Sequence, residues 1–417
     1  MKPTIEPMNL RGAPRSRATN RNSLSCGKSS IPVLALLLAL LSLGIAQSHA
    51  QPPRAQPPTL PYWWTVSDEV FARQNAKLAT SDDPVERSAV AWMLFARANQ
   101  PTAYENMTVT RWELWPSDVD TFHLQSQKAF KAVGKVRNQP HLQISKLAKL
   151  RAHDPNTNPD PGKNFNNGTE EVTRNLLSFN YITDNNLYKK AGIAQWLKSN
   201  TPVDLPIGVV ETKAIWSTTP LPGAYSFAAP HDGAVYYLQS LHIMAKFAKT
   251  PQDPFTSTDA SWFWTTFEFN KNPGLAHAQS LLLPTKDALP PGEVAKWLGQ
   301  SGVTAAFPNL ANYKCNGTQI RFVEGGKPGL LGNTLQENFG FTPSTASPND
   351  PTQWTKWQIS CHTCHGEASA KLDSNGMVVT QPFGNKASPT NIGPIDPSIV
   401  NGYKSLDFNW AIDFFAK

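Results

Sequence analysis

Cysteine is scarce in this chain of 417 residues: Cys26, Cys315, Cys361 and Cys364 are the whole set. So few thiols in a chain of this length exclude a fold stapled by disulfides. Charge is also thin, at 17% Asp, Glu, Lys and Arg. There is no basic stripe interleaved with aromatics, so nucleic acid is not an expected partner. No stretch beyond residue 50 is apolar over the roughly 20 residues that a membrane-spanning helix needs. No internal repeat is present, which excludes a solenoid or propeller. The chain is rich in proline (36) and tryptophan (13), a composition suited to irregular connections plugged by large rings.

The first 50 residues read as a secretory signal peptide. Lys2, Arg11, Arg15, Arg17, Arg21 and Lys28 form a positive leader, residues 33–45 are an apolar run broken only by Ser42 and Gly44, and Ser48-His49-Ala50 offers a small-x-small cleavage site. An uncleaved membrane anchor is the alternative. The leader also carries most of the charge. The whole chain is +7, but residues 1–50 hold six of the 38 Lys and Arg and one of the 31 Asp and Glu, so removing them leaves +2. Cys26 leaves with the leader. The expected location is the periplasm, with no stable transmembrane segment once the signal is cleaved.

Against that scarcity of thiols, Cys361-His362-Thr363-Cys364-His365 stands out. C-x-x-C-H is the attachment pattern for c-type haem. Two thiols three positions apart can add to the two vinyl groups of one porphyrin, and the adjacent His365 is then placed to bind the iron. The pattern implies one covalent heme c held by Cys361, Cys364 and His365. Two other readings of a C-x-x-C are half of a zinc site and a redox-active thiol pair. Zinc needs a second ligand cluster, and no second C-x-x-C exists. A redox pair wants a strand before it and a helix opening at the first cysteine. Cys315 is read as a buried thiol.

The fold class expected is α+β, loop-rich, with an antiparallel sheet in the middle of the chain, surrounding helices and a C-terminal helical haem-binding segment. Residues 51–61 are a Pro-rich lead-in. Residues 62–200 read as mainly helical, with helices over 82–100 (Asp82 capping, Pro84 in the first turn), 117–132, 169–180 and 186–199. Residues 201–330 read as the antiparallel β region, with strands at 208–216, 234–247 and 262–270 and an edge at 318–324. Residues 331–417 read as the haem-binding region packed on the rest, with helices over 333–339 and 353–370 and a loop at 342–351. Only 52 residues follow His365, so part of any haem pocket has to come from earlier sequence or from a partner.

The second axial position of the iron has three candidates. Met377 follows His365 at a short separation, and His242 and Met244 share a strand face by alternation. A thioether raises the potential, an imidazole lowers it, and an open position permits ligand chemistry. Trp354, Trp357, Phe383 and Trp410 would suit a haem edge or a plain core. Glu211 and Glu268 form a possible acid/base pair or are ordinary paired carboxylates. Asn333, Glu337 and Glu367 are equally open. His231, beside Asp232, reads as an oriented imidazole or a loop residue, and His123, His141 and His153 have no supporting context.

Dispersed motifs accompany the C-x-x-C-H: Gly208-Val-Val-Glu211-Thr-Lys213-Ala-Ile-Trp216, Leu241-His242-Ile243, Trp262-Phe-Trp264-Thr-Thr-Phe267-Glu268, Leu331-Gly-Asn333-Thr-Leu-Gln-Glu337 and Asp407-Phe-Asn-Trp410. Over roughly residues 176–417 the layout resembles a family of exported monohaem cytochrome c domain-containing proteins of Gram-negative bacteria. Where similar proteins often carry a second histidine after the L-H-I segment, this chain has Ala245. The resemblance implies haem binding and export rather than a particular reaction. The expectation is therefore an exported monohaem c-type cytochrome that transfers electrons. A haem-dependent, peroxidase-like oxidoreductase and a haem-based ligand sensor are the alternatives. The redox partner and the oligomeric state have no sequence signature.

Overall fold

The computed structural model describes residues 60–104, 107–124, 127–128, 169–199, 201, 203–228, 234–249, 260–272, 287–335, 341–342, 356–357, 359–381 and 392–416. The expected signal peptide and nearly all of the Pro-rich lead-in lie outside them. Residues 57–417 form one compact unit. Among the described residues no helix is long and apolar enough to cross a membrane.

A hairpin of β1 (Pro101–Tyr104) and β2 (Met107–Thr110) comes first. The main sheet is built from β3 (Thr169–Arg174), β4 (Val210–Ser217), β5 (Ser226–Ala228), β6 (Val235–Ala248), β7 (Ala260–Phe269) and β8 (Tyr313–Gln319). It is antiparallel, in the order β3-β4-β6-β7-β8, with β5 pairing β6. Because side chains alternate along a strand, each face has its own character. On one face Leu241, Ile243, Ala245 and Phe247 of β6 and Phe263 and Phe267 of β7 enter a large apolar core. Four helices cover it: α1 (Leu60–Thr65), α2 (Asp68–Gln74), α3 (Ala76–Ala79) and α4 (Pro84–Ala98). Trp92 and Phe95 of α4 meet Phe267 with ring centroids 5.0 and 4.4 Å away.

The other face carries His242, Met244 and Lys246 of β6 and Trp262, Trp264, Thr266 and Glu268 of β7. Against it lie α5 (Asp118–Phe122), α6 (Leu176–Asp184) and α7 (Lys190–Lys198). Further helices α8 (Pro291–Gln300) and α9 (Val303–Ala306) return to the first core. Two short pairings follow, β9 (Val323–Glu324) with β10 (Lys327–Pro328) and β11 (Phe341–Thr342) with β12 (Lys356–Trp357). The chain ends on the second face with α10 (Cys361–Gly366), a three-stranded sheet of β13 (Ser369–Leu372), β14 (Val378–Thr380) and β15 (Lys404–Ser405), and α11 (Trp410–Phe415).

A buried carboxylate ties these layers together. Asp68, at the start of α2, accepts from Arg97 at 2.7 Å, from both terminal nitrogens of Arg111 at 2.9 and 2.8 Å, and from Asn175 at 3.0 Å. Asn175 also donates to the Gly208 carbonyl at 2.8 Å. Gly208 has φ +89°, and a Cβ there would lie 2.5 Å from the α2 backbone at Glu69, so only glycine admits α2 this close. Burial opposes the Asp68 charge, but the guanidinium groups of Arg111 and Arg97 outweigh it and hold the carboxyl below its ordinary range.

The α+β class and the central antiparallel sheet are as expected; several elements are not. Residues 169–180 do not form one helix. Thr169–Arg174 is the edge strand β3, paired along its length with β4, and α6 begins only after Asn175, whose side chain caps it by accepting from Ser178 N. Thr173 and Thr212 hydroxyls meet at 2.7 Å across that pairing, a cross-strand contact that overrides the helix-forming glutamates. The 62–200 region is therefore not simply helical; it supplies a sheet strand and a hairpin. Asp83, not Asp82, caps α4 through Val85 N at 2.8 Å, while Asp82 pairs with Arg321. The edge expected at 318–324 is shifted: β8 spans Tyr313–Gln319. The 353–370 helix shrinks to the six residues of α10, flanked by β12 and β13. Asn333–Leu335 are not helical, and the rest of that expected helix, the 342–351 loop after its first residue and most of the 117–132 helix beyond α5 lie outside the described residues.

Asp68→Asn should cost about 3 kcal/mol at neutral pH, because it leaves the buried Arg97 guanidinium and the partly buried one of Arg111 short of a counter-charge. The folded-state value of Asp68 is depressed, so its contribution is complete above the unfolded value near ~3.9 and fades as pH falls through the folded one. Urea unfolding of both proteins should show a gap that narrows between pH 7 and pH 3; a gap of constant size would refute the assignment.

Candidate functional site

The C-x-x-C-H helix forms where the end of β8 meets the chain before Cys361. Ser360 caps α10 by accepting from Thr363 N at 3.0 Å. Gln319, the last residue of β8, donates to the Ser360 hydroxyl at 2.7 Å and accepts from His362 N at 3.1 Å. The Thr363 hydroxyl donates to the Gly393 carbonyl at 2.6 Å. Leu331 bridges Ser360, and Cys361 Sγ donates to the Leu331 carbonyl at 3.3 Å. Gly366 ends the helix under close cover: a Cβ would sit 2.5 Å from Ile395 Cδ1 and 3.2 Å from Phe408 Cε1.

The Asp407-Phe408-Asn409-Trp410 segment wraps this helix, and each residue has a separate anchor. Asp407 accepts from Lys246 Nζ at 2.6 Å, Trp262 Nε1 at 2.9 Å and Leu205 N at 2.7 Å. The Phe408 carbonyl lies 2.9 Å from His365 Nδ1. Asn409 donates to Glu211 at 2.9 Å and caps α11. Trp410 Nε1 donates to the Cys364 carbonyl at 2.9 Å. Asp407 and Phe408 both adopt left-handed backbone, φ +54° and +63°. Such a conformation costs non-glycine residues on the order of 1–3 kcal/mol each, offset here by the anchors around them.

A carbonyl facing Nδ1 requires that nitrogen to carry the proton, so the neutral ring keeps its lone pair on Nε2. Neutrality itself is favoured. Part of His365 reaches the surface, yet packing around the ring, followed by Lys213 and His242, pushes its pKa down to about 4 against the opposing Phe408 hydrogen bond. His362, fully enclosed by Trp264, Phe322 and Phe408 with centroids 4.9, 4.4 and 4.9 Å away, is pushed down to about 3 by burial and His365. The two thiols are not joined in a disulfide; Cys361 is buried and Cys364 half-buried. α10 does open at the first cysteine, as a redox pair would require, but that thiol is the buried one. Among the described residues no group of three or more His, Cys, Asp or Glu is placed to hold a metal ion, so a zinc reading would need ligands from elsewhere. Two thiols on one helix beside an imidazole with an oriented lone pair fit the haem-attachment pattern.

The remaining candidates separate clearly. Met377 is 62% exposed at the turn of the β13–β14 hairpin, its amide donating to Asp373. The hairpin leaves the Met377 side chain at the surface rather than in the packed face around His365. His242 and Met244 do share the sheet face toward α10: Met244 pairs with Trp264, whose ring lies 5.8 Å from His365, and His242 pairs with Thr266 and Lys213. Glu211 and Glu268 are not a pair. Glu211 is level with Met244 and Trp264, whereas Glu268 is level with Ser240, about 13 Å further along the strand.

Each carboxylate has its own donors. Arg174 and Ser178 join Asn409 at Glu211, and Arg174 also pairs with Asp118. Glu268 accepts from Thr334 N at 2.6 Å, the Thr334 hydroxyl and Asn316 at 2.8 Å, while Asn333 donates to Thr266 at 2.9 Å. Burial outweighs those donors and raises the Glu268 carboxyl. Cys315 is buried as expected, its thiol pushed up by burial. Glu367 follows α10 as its C-cap, and His123 ends α5. His141, His153, His231, Asp232, Glu337, Trp354, Phe383 and the Trp357 side chain lie outside the described residues. Lys246, Ser360 and Gln319 escaped the sequence reading; a lysine set in the apolar run Ile243-Met244-Ala245-Lys246-Phe247 was the one available signal.

Glu268→Gln should cost about 2–3 kcal/mol, since its amide would present a donor to donors. The segment at 331–335 should loosen first, seen as faster hydrogen exchange at the Thr334 amide than at β6 amides. Unchanged exchange at Thr334 would count against Glu268 as its anchor.

No protein-family model, curated protein or solved structure matches the chain.

Proposed function

We propose that the chain is an exported c-type cytochrome that carries one covalently attached haem and passes electrons. The observation that carries this reading is the orientation of His365: Nδ1 faces the Phe408 carbonyl at 2.9 Å, which leaves Nε2 as the coordinating nitrogen beside two thiols on the same helix. Cys361 and Cys364 would each add across one vinyl group, sulfur to one carbon and hydrogen to the other, with nothing oxidised. Bound in this way, the iron supplies a centre that cycles between ferrous and ferric. The protein's part is to hold the imidazole neutral and oriented, to anchor Cys364 through Trp410, and to shield one side with Trp264 and Phe408, 5.5 Å apart. The resemblance to exported monohaem proteins and the leader-like residues 1–50 support a periplasmic location.

Ionisable groups on the sheet face support a second reading. Glu211, Lys213 and His242 all act electrostatically on His365. A pure carrier has little use for them, whereas a peroxidase-like oxidoreductase or a ligand sensor needs groups that can move protons or hold a small polar molecule.

Material from a host with intact maturation machinery should absorb as a haem protein and weigh more than the cleaved polypeptide by one haem. Cys361→Ser and Cys364→Ser should each lose one covalent link, and Met377→Ala should leave the spectrum unchanged. Colourless protein at the bare polypeptide mass would end the proposal. Carbon monoxide separates the two readings: a ferrous spectrum that ignores it supports the carrier, and one that shifts supports the enzyme or sensor.

A further inference from the structure

The Lys246–Asp407 pair does something that neither residue's local role explains. Lys246 has a fully buried side chain in the middle of the sheet, where an apolar residue would be expected. Its ammonium is shared between Asp407, at 2.6 Å, and the half-exposed Asp204. Asp407 spends its remaining acceptor capacity on Trp262 and the Leu205 amide. All of these partners converge on the one residue whose left-handed backbone turns the next carbonyl toward His365. Phe408 has no glycine-like reason to adopt φ +63°. It is held there by the anchored carboxylate before it and by Asn409, bonded to Glu211, after it.

We propose that Lys246 and Asp407 are positioning residues for His365: their buried ion pair fixes the Asp407–Phe408 turn, and the turn fixes which ring nitrogen bears the proton. The part concerning the imidazole is independent of any cofactor. The consequence for an iron centre rests on the haem reading: a firm Nδ1–H···O=C bond makes the imidazole a stronger donor and favours the ferric state.

Nitrogen-15 NMR of the histidine rings in the full chain, with or without haem, tests the first part. The native protein should show His365 as the Nδ1–H tautomer with a slowly exchanging ring proton. Lys246→Met should mix the tautomers and speed that exchange by about tenfold, and Lys246→Arg should restore both. Should Lys246→Met fail to fold, Asp407→Asn decides: asparagine tolerates the left-handed turn but removes the charge and leaves one acceptor oxygen where Trp262 and Leu205 now use two, and it should shift the exchange in the same direction. A folded Lys246→Met or Asp407→Asn with native tautomer and exchange overturns the proposal. In haem-loaded protein Lys246→Met should move the reduction potential upward and Lys246→Arg should return it; an unmoved potential rejects the link to the iron while the NMR result still stands or falls alone. Protein that never acquires haem would refute the cytochrome reading and leave the NMR test intact.

Discussion

The hydrogen bond between the Phe408 carbonyl and His365 Nδ1 is the contact around which the second face of the sheet is organised. A backbone carbonyl can point at a ring nitrogen only if its own residue is turned correctly, and here that turn needs two successive left-handed residues that are not glycine. A conformation of that kind persists only where its surroundings over-determine it. The surroundings come from widely separated sequence: Leu205, Glu211, Lys246 and Trp262. The sheet is thus both the scaffold beneath α10 and the source of the groups that aim its histidine.

This explains why the two faces differ so sharply. The first core is nearly all apolar and aromatic, and its main polar insertion, the Asp68 cluster, joins α2, α4 and the Gly208 turn. The second face buries Arg174, Lys246 and Glu268 completely. Desolvating such groups gains little or nothing in net stability compared with well-packed apolar side chains. What they gain is direction. Each charge accepts or donates along fixed lines, so the Thr334 segment, the Asn409 cap and the Asp407 turn can dock in one register only.

The sequence announced some of this plainly. C-x-x-C-H is readable because each of its residue types has a chemical reason for its position. The strands at 235–248 and 260–269 are readable because period-two alternation is strong in Trp262, Trp264, Thr266 and Glu268. Thr169–Arg174 misled because its glutamates are good helix formers, while the facts that make it a strand, Thr173 against Thr212 and Arg174 against Glu211, lie some 40 residues away. The helix over the C-x-x-C-H was read too long because its limits are set by Ser360 and Gln319, a cap and a distant strand end. Asp407-Phe408-Asn409-Trp410 was visible as a motif, but its meaning was not. Nothing in the identity of a phenylalanine signals positive φ, and only the fold brings Lys246 to it.

The C-x-x-C-H segment does not stand apart from the sheet in this geometry. Residues 407–410 make their decisive contacts with Leu205, Glu211, Lys246 and Trp262 as well as with α10 itself. Cutting the chain before residue 331 would remove the Trp264 wall, the Gln319 support of the helix start and every partner of Asp407 outside its own segment. The described chain ahead of the motif supplies its support. It is the structure that turns two thiols and an imidazole, common enough in sequence, into an oriented set, and any chemistry at His365 belongs to the sheet as much as to the motif.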